Sequence, residues 1–181
     1  MKHWLIATNW PLSRVLSMIR HPSPDGVTEG QQVWYDYAGK TDRDTVGTNS
    51  RPSLIARILP EGPSQFIHYA RNNDWSKPTE ITSTWSATGT NVSLRTIDLS
   101  YTGDDRNLKQ VLGQNDELLL GISYSFDPVF PLTITNALNE VTTLTWNTNI
   151  GQIHTIERPG GLTTTNTYYF YTCKPADVWF Y

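Results

Sequence analysis

The sequence is poor in the features that carry disulfides, strong electric fields and membrane spans. Among 181 residues there is one cysteine, Cys173, so no intrachain disulfide and no cysteine-based metal site can form. Only 17% of residues are charged, the signs are mixed along the chain, and the formal net charge is −3. That balance excludes the basic footprint of a nucleic-acid binder and the cationic face of a membrane-surface protein. No apolar run approaches the roughly 20 residues of a spanning helix. The opening Met1–Ala7 runs at once into Thr8-Asn9-Trp10-Pro11. Its apolar stretch is shorter than a signal-peptide core of about 7–15 residues, so no signal peptide is expected here. His3, His21, His68 and His154 lack the i, i+2 or i, i+4 spacing of metal ligands.

What is present is aromatic and turn-forming. Seven Trp and nine Tyr, with few Ala, Lys or Glu, suit half-buried pleated surfaces and not helices. Eleven Pro and twelve Gly, spread along the chain, imply many turns. The composition is that of an all-β protein. No linker divides the chain, and residues 1–181 read as one region.

Near its end the chain matches itself at an offset of 22 residues. Asn139–Trp146 then falls on Gly161–Tyr168, with Thr142, Thr143 and Thr145 on Thr164, Thr165 and Thr167. The same offset sets Thr133-Ile134 on Thr155-Ile156. A turn residue precedes an aromatic by seven positions in Gly62/Tyr69, Asn139/Trp146 and Gly161/Tyr168, and by eight in Gly26/Trp34. Proline opens several of these turns, in Pro24-Asp25-Gly26, Pro60-Glu61-Gly62 and Pro159-Gly160-Gly161. Proline fixes φ at the start of a turn and glycine supplies the positive φ of a tight connection. Each unit thus reads strand, turn, strand. One hairpin alone is marginally stable, so successive units must pair into a continuing sheet.

Strands are expected over Val15–Ile19, Leu54–Leu59, Leu108–Leu112, Leu118–Phe126 and Ile153–Ile156, with Leu118–Phe126 the most buried. Asp104–Asn107 and Gly113–Asp116 read as hairpin tips, and Lys40–Ser50 as a polar insertion between units. Trp10–Arg20 is the one helix candidate, and its Pro11, Val15 and Ile19 suit a strand equally.

Val33-Trp34-Tyr35-Asp36-Tyr37-Ala38-Gly39-Lys40 resembles the Tyr-Asp dipeptide followed by Gly-Lys/Arg that gives YD repeats their name. Pro131–Thr143 looks like another such unit, and Gly151-Gln152-Ile153 through Pro159–Thr164 completes the next. Over roughly residues 12–171 the chain is similar to the RHS/YD-repeat family. That family includes bacterial RHS polymorphic toxins, the shells of insecticidal toxin complexes, and teneurins. The resemblance marks Tyr35, Asp36, Gly39, Gly62, Tyr69, Asn139, Trp146, Gly151, Gly161 and Tyr168 as repeat-defining. It implies consecutive antiparallel hairpins in one curved or spiralling sheet, the wall of a hollow shell. It also implies a fragment of a longer bacterial protein, secreted or at the cell surface. The implied partners are neighbouring repeats of the same polypeptide and an enclosed C-terminal effector. Two features depart from the family: residues 172–181 do not continue the repeat, and Asp127-Pro128 lacks the context of an aspartyl self-cleavage motif.

Chemical alternatives are weaker. Cys173 and His154 have no orienting third group. His154 aligns with Leu132 in the repeat, an inward or half-buried position, and His68 is expected on a strand face. Asp42 and Asp44, like Asp104 and Asp105, suit polar turns better than a catalytic carboxylate pair. Pro159-Gly160-Gly161 lacks the ending of a phosphate loop. No cofactor and no metal are expected, and the chain reads as a structural segment and not an enzyme. The alternative is a carbohydrate-binding surface module, because Trp34, Trp75, Trp85, Trp146 and Trp179 offer platforms for sugar rings. Trp34, Trp75 and Trp146 are its candidate contacts. Recurrence at a fixed distance from each turn favours cross-strand aromatic ladders over ligand platforms.

Overall fold

The computed structural model describes residues 1–7, 13–60, 64–71, 75–86, 92–125, 129–168 and 175–180. These residues form fourteen strands, and no helix among them is long and apolar enough to cross a membrane. Strand order in the sheet is chain order, and neighbours run antiparallel. This all-β arrangement of consecutive hairpin-like neighbours follows from short connections, which join adjacent antiparallel strands and no others. Contacts gather into two compact units, Met1–Asp98 and Leu99–Tyr181, and the division falls inside a strand and not in a linker.

The second unit contains the end of β7 (Val92–Tyr101), then β8 (Leu108–Leu112), β9 (Leu118–Tyr124), β10 (Pro131–Asn136), β11 (Val141–Asn147), β12 (Gln152–Glu157), β13 (Thr163–Tyr168) and β14 (Pro175–Phe180). Its turns explain the sequence period. Asn136 N–H donates to the Glu140 carbonyl at 3.0 Å and Asn139 N–H to the Asn136 carbonyl at 3.0 Å, with Asn139 at φ 60°. This is the three-residue hairpin loop whose last residue takes left-handed geometry. The same two bonds recur at Arg158–Leu162 and Gly161–Arg158, where Gly160 and Gly161 have φ 86° and 85°. They recur again at Gly113–Glu117 and Asp116–Gly113, with Asp116 at φ 60°. Asp, Asn and Gly tolerate that geometry best, so one turn position accepts three different residues.

The aromatics are ties between strands. Trp146 Nε1–H donates to the Pro131 carbonyl at 2.6 Å, and Tyr168 O–H to the Ile153 carbonyl at 2.7 Å. Donors and acceptors are both 22 residues apart. Tyr124, one period earlier, donates to the Leu108 carbonyl at 2.8 Å. This third copy is masked in the sequence because β9 carries one extra residue: Asp116 precedes Tyr124 by eight positions, whereas Asn139 precedes Trp146 by seven. Apolar rows repeat likewise: Ile122, Ile134 and Thr142 stand in register, then Leu144, Ile156 and Thr164 one period on. Leu144 and Thr164 of the second row are buried. On the opposite face hydroxyls pair across strands, Ser123 with Thr133 at 2.6 Å and Thr145 with Thr155 at 2.5 Å, again one period apart.

The first unit holds β1 (Lys2–Trp4), β2 (Leu16–Arg20), β3 (Gln32–Asp36), β4 (Leu54–Ile58), β5 (Gln65–Ala70), β6 (Glu80–Ser86) and the start of β7. It is less regular and better buried. Leu5, Met18, Val33, Tyr37 and Ala56 are buried here, with Leu5 enclosed completely. Leu5 N–H donates to the Val15 carbonyl at 2.9 Å, and its own carbonyl accepts from Ser13 N–H and the Ser13 hydroxyl. Tyr37 O–H donates to the Leu16 carbonyl at 2.6 Å. The connection from β3 to β4 folds back over this cluster. Ile6 N–H donates to the Asp44 carbonyl at 2.7 Å and Val46 N–H to the Ile6 carbonyl at 3.0 Å, a parallel bridge outside the named strands. The polar insertion of Lys40–Ser50 is thus a cover for the hydrophobic residues beneath it.

Several expectations are corrected. Each unit is an open, uncurled sheet, so the curve or spiral expected of a shell wall is absent within it. The physical reason is the lack of a dominant inner face: six hydrophobic side chains are buried among the described residues, and both faces stay partly exposed. Leu118–Tyr124 forms β9 as expected, but no residue of it is fully buried. His154 is exposed and not half-buried, with Nδ1 3.1 Å from the Asn166 carbonyl; its repeat counterpart Leu132 is 39% exposed, so the period holds while the inward reading does not. The helix candidate contributes a strand, Leu16–Arg20, and residues 8–12 lie outside the described set. Within the tail, Pro175–Phe180 adds β14 beside β13. Gly62, Asp127-Pro128 and Cys173 lie outside the described residues.

Candidate functional site

The first unit carries a cleft of about 530 Å³ built on one face of β1 to β4. Pairing sets His3 opposite Met18, Met18 opposite Trp34, and Trp34 opposite Ala56. Side chains directly opposite across antiparallel strands share a face, so these four form one row. Met18 and Ala56 are buried on either side of Trp34, which is 45% exposed. A small or slender neighbour on each side leaves the larger ring standing above the sheet. Trp34 Nε1–H donates to the Gln32 side-chain carbonyl at 3.2 Å, which fixes the ring from its own strand.

The cover from the β3–β4 connection supplies the polar rim. Gly39, at φ 70°, reverses the chain just after Tyr37, and a Cβ there would lie 2.6 Å from Thr48 Cγ2. This turn brings Lys40 back over β3. The ammonium stands 3.3 Å from Asp36 Oδ1 and donates to the Arg43 carbonyl at 3.0 Å. Its side chain is 15% exposed, unusual for a lysine. Arg20 Nη1 pairs with Glu29 Oε1 at 3.2 Å, and Arg43 Nε with Asp44 Oδ2 at 3.5 Å. Arg20 Nε is enclosed without a hydrogen-bond partner among the described residues. The Asp44 and Thr45 backbone N–H groups donate to Asp42 and hold its carboxyl below the ordinary value against a smaller opposing effect of burial. Burial raises the Tyr37 phenol above its ordinary value.

The cleft brings together some of the residues singled out by sequence. Trp34 and Asp36 line it, and Gly39 turns its cover. Tyr35, paired with Ile55, also borders the cleft, and Tyr69 lies under the Arg71 guanidinium at 5.0 Å. Trp75, in the same unit, is 50% exposed, and its carbonyl accepts from Arg51 Nη1 at 2.9 Å. Trp85 borders a second hollow of about 490 Å³ with Gln65, Ser83 and Arg95. Trp146 belongs to the second unit, where its ring meets Phe130 at 5.0 Å between centroids and its N–H is engaged. Asn139, Gly151 and Gly161 are turn residues with positive φ. Asp104 accepts from the Thr102 hydroxyl at 2.5 Å and from Arg106 N–H, which hold its carboxyl below the ordinary value. No group of three or more His, Cys, Asp or Glu among the described residues is placed to hold a metal ion.

Met18, Arg20, Arg43 and Ala56 were not singled out by sequence. Met18 and Ala56 flank Trp34 only through strand register, and Arg43 arrives through the folded-back connection. The visible signal was the mixed-charge run Lys40-Thr41-Asp42-Arg43-Asp44, which is dense in charge for a chain otherwise poor in it. No protein-family model matches the chain, and no curated protein matches it.

Proposed function

We propose that this chain is a non-catalytic scaffold segment, a run of RHS/YD-type hairpin repeats that builds part of the wall of a larger secreted or cell-surface bacterial protein. The observation that carries this reading is the recurrence of the whole bonding set of a hairpin at one period. Tie, turn and hydroxyl pair all return together between Ser123 and Tyr168. A period that repeats bonding partners, and not merely residue types, extends a surface by addition. A reaction centre needs one unique constellation, which a repeated set does not supply. Supporting it further, among the described residues the outer strands of the sheet order, β1 and β14, each have a neighbouring strand on one edge only. Such edges are suited to pairing with adjoining repeats of the same polypeptide. In this reading an effector enclosed by the wall is the cargo.

Electron microscopy of the complete polypeptide that carries this segment tests the proposal. A hollow particle whose wall contains the segment is the expected result. A segment lying apart from any wall, as a separate globule on a flexible tether, would overturn it.

A further inference from the structure

We propose that the cleft around Trp34 is a binding site for a neutral pyranose saccharide. This goes beyond the scaffold role, which requires ladders and turns but no cleft. The volume of about 530 Å³ lies within the roughly 300–1,000 Å³ of small-ligand sites. The indole of Trp34 offers an apolar face beside polar groups, the surface on which the C–H face of a pyranose rests. Met18 and Ala56 are buried on either side of it, and Trp34 stays 45% exposed.

The polar rim has the pattern that hydroxyl pairs require. A lysine ammonium has three protons and no acceptor site. Among the described residues, Asp36 Oδ1 at 3.3 Å and the Arg43 carbonyl at 3.0 Å take two of them, which leaves one proton of Lys40 for a ligand oxygen. Asp36 is 58% exposed at its side chain, so its second carboxylate oxygen can accept from a ligand hydroxyl. One donor and one acceptor thus stand side by side, and two vicinal hydroxyls, each able to donate and accept, satisfy both. Because Lys40 is largely covered and bonded twice, it is ordered before a ligand arrives, which lowers the entropic cost of binding. Arg20 adds a guanidinium to the rim, with Nη1 paired to Glu29 at 3.2 Å.

Charge selects the neutral class. Each rim cation already has a carboxylate: Arg20 with Glu29, Lys40 with Asp36, Arg43 with Asp44. An acidic sugar would have to displace one of these carboxylates or lie beside it. A hydroxyl bridges such a pair without displacing either member.

Isothermal titration of the whole chain with cellohexaose, maltohexaose and chitohexaose, and with an oligogalacturonate as the anionic comparator, tests the site. Saturable binding of at least one neutral hexasaccharide is expected, with little dependence on salt. Trp34→Ala should weaken it at least about tenfold while far-UV circular dichroism stays unchanged. Trp75→Ala, outside the cleft, should leave it unchanged. Asp36→Asn, at an exposed carboxylate, reads the same site if Trp34→Ala fails to fold, and should also weaken binding. No saturation with any neutral hexasaccharide at millimolar concentration would overturn the proposal. So would tighter binding of the oligogalacturonate, or undiminished binding by Trp34→Ala and Asp36→Asn. None of these results bears on the wall, which the microscopy tests separately.

Discussion

The two units solve the same problem, stabilising a single-layer sheet, by different means. The second uses repetition: one three-residue loop and one aromatic tie at every period, and paired hydroxyls on the other face. It buries little beyond Leu144 and Thr164. The first uses insertion. Its β2–β3 and β3–β4 connections are longer, and the second of these folds over Leu5 and Tyr37 to make a small core. The difference teaches that regular hairpins make surface, whereas departures from regularity make an interior. The cleft lies where the departure is greatest, between the strand face and the folded-back connection.

Five measurements can break or sharpen that contrast. The largest effect is expected from Gly47→Ala, because a Cβ there would lie 1.9 Å from the Ala38 carbonyl oxygen. The backbone must shift to admit it, at a cost of about 3 kcal/mol. Hydrogen exchange should show the Ile6 and Val46 amides opening while the amides of β10 to β13 stay protected. Loss of protection in both units together would mean that the insertion does not act locally. Next, Leu144→Ala should cost about 2–3 kcal/mol by leaving a cavity in the Leu144–Ile156–Thr164 row. Chemical denaturation followed by exchange should place that loss in the second unit.

Smaller effects test the ties. Tyr124→Phe and Tyr168→Phe each remove the donor to a strand carbonyl and should each cost about 1 kcal/mol. Unequal costs, one large and one absent, would show that the tie is not a repeated device. The smallest effects concern pH. Burial raises the phenols of Tyr37 and Tyr124 above 10.0 in the folded chain. A raised folded value means that the neutral phenol is favoured by folding, so this contribution is full below about pH 10 and is lost as pH rises past it. Both units should therefore weaken in alkali, by denaturation midpoints measured from pH 8 upward. Asp25 behaves oppositely. The Thr28 hydroxyl, then the Thr28 and Val27 N–H groups and the Ser23 hydroxyl, hold its carboxyl far below 3.8. Its contribution is present above that value and is lost as pH falls below it, with Val27 and Thr28 amide exchange as the local readout.

Much of the fold was legible because it rests on local chemistry. Pro159-Gly160-Gly161 fits a turn with proline first and two positive φ values after it, and the threonine runs become β11 and β13. Period and strand positions followed from these residues alone. The cleft was less legible. Trp34 and Asp36 stood out by type, yet Met18 and Ala56 reach them only through the pairing of β2, β3 and β4. Lys40 looked like the member of a solvated polar loop, and the bonding of Ile6 to Asp44 and Val46 is what lays that loop over the sheet. Non-local pairing of this sort leaves no periodic mark. His154 was misplaced for a related reason: the register shift between Thr145 and Trp146 alters how β12 presents its side chains, and no residue type announces a shift of that kind.

The coincidence of donor and acceptor spacing in the second unit has a consequence for how such chains lengthen. Trp146 and Tyr168 stand one period apart, and so do Pro131 and Ile153, which receive their bonds. A duplicated stretch of one period therefore carries both halves of a tie, one turn and two hydroxyl positions that pair with its neighbours. It can be spliced into the run without asking any existing residue to change. Deletion of one period heals in the same way. Gene duplication can thus alter the extent of this surface in steps of one hairpin, whereas the first unit, whose cover and strand face depend on distant residues, must be inherited whole.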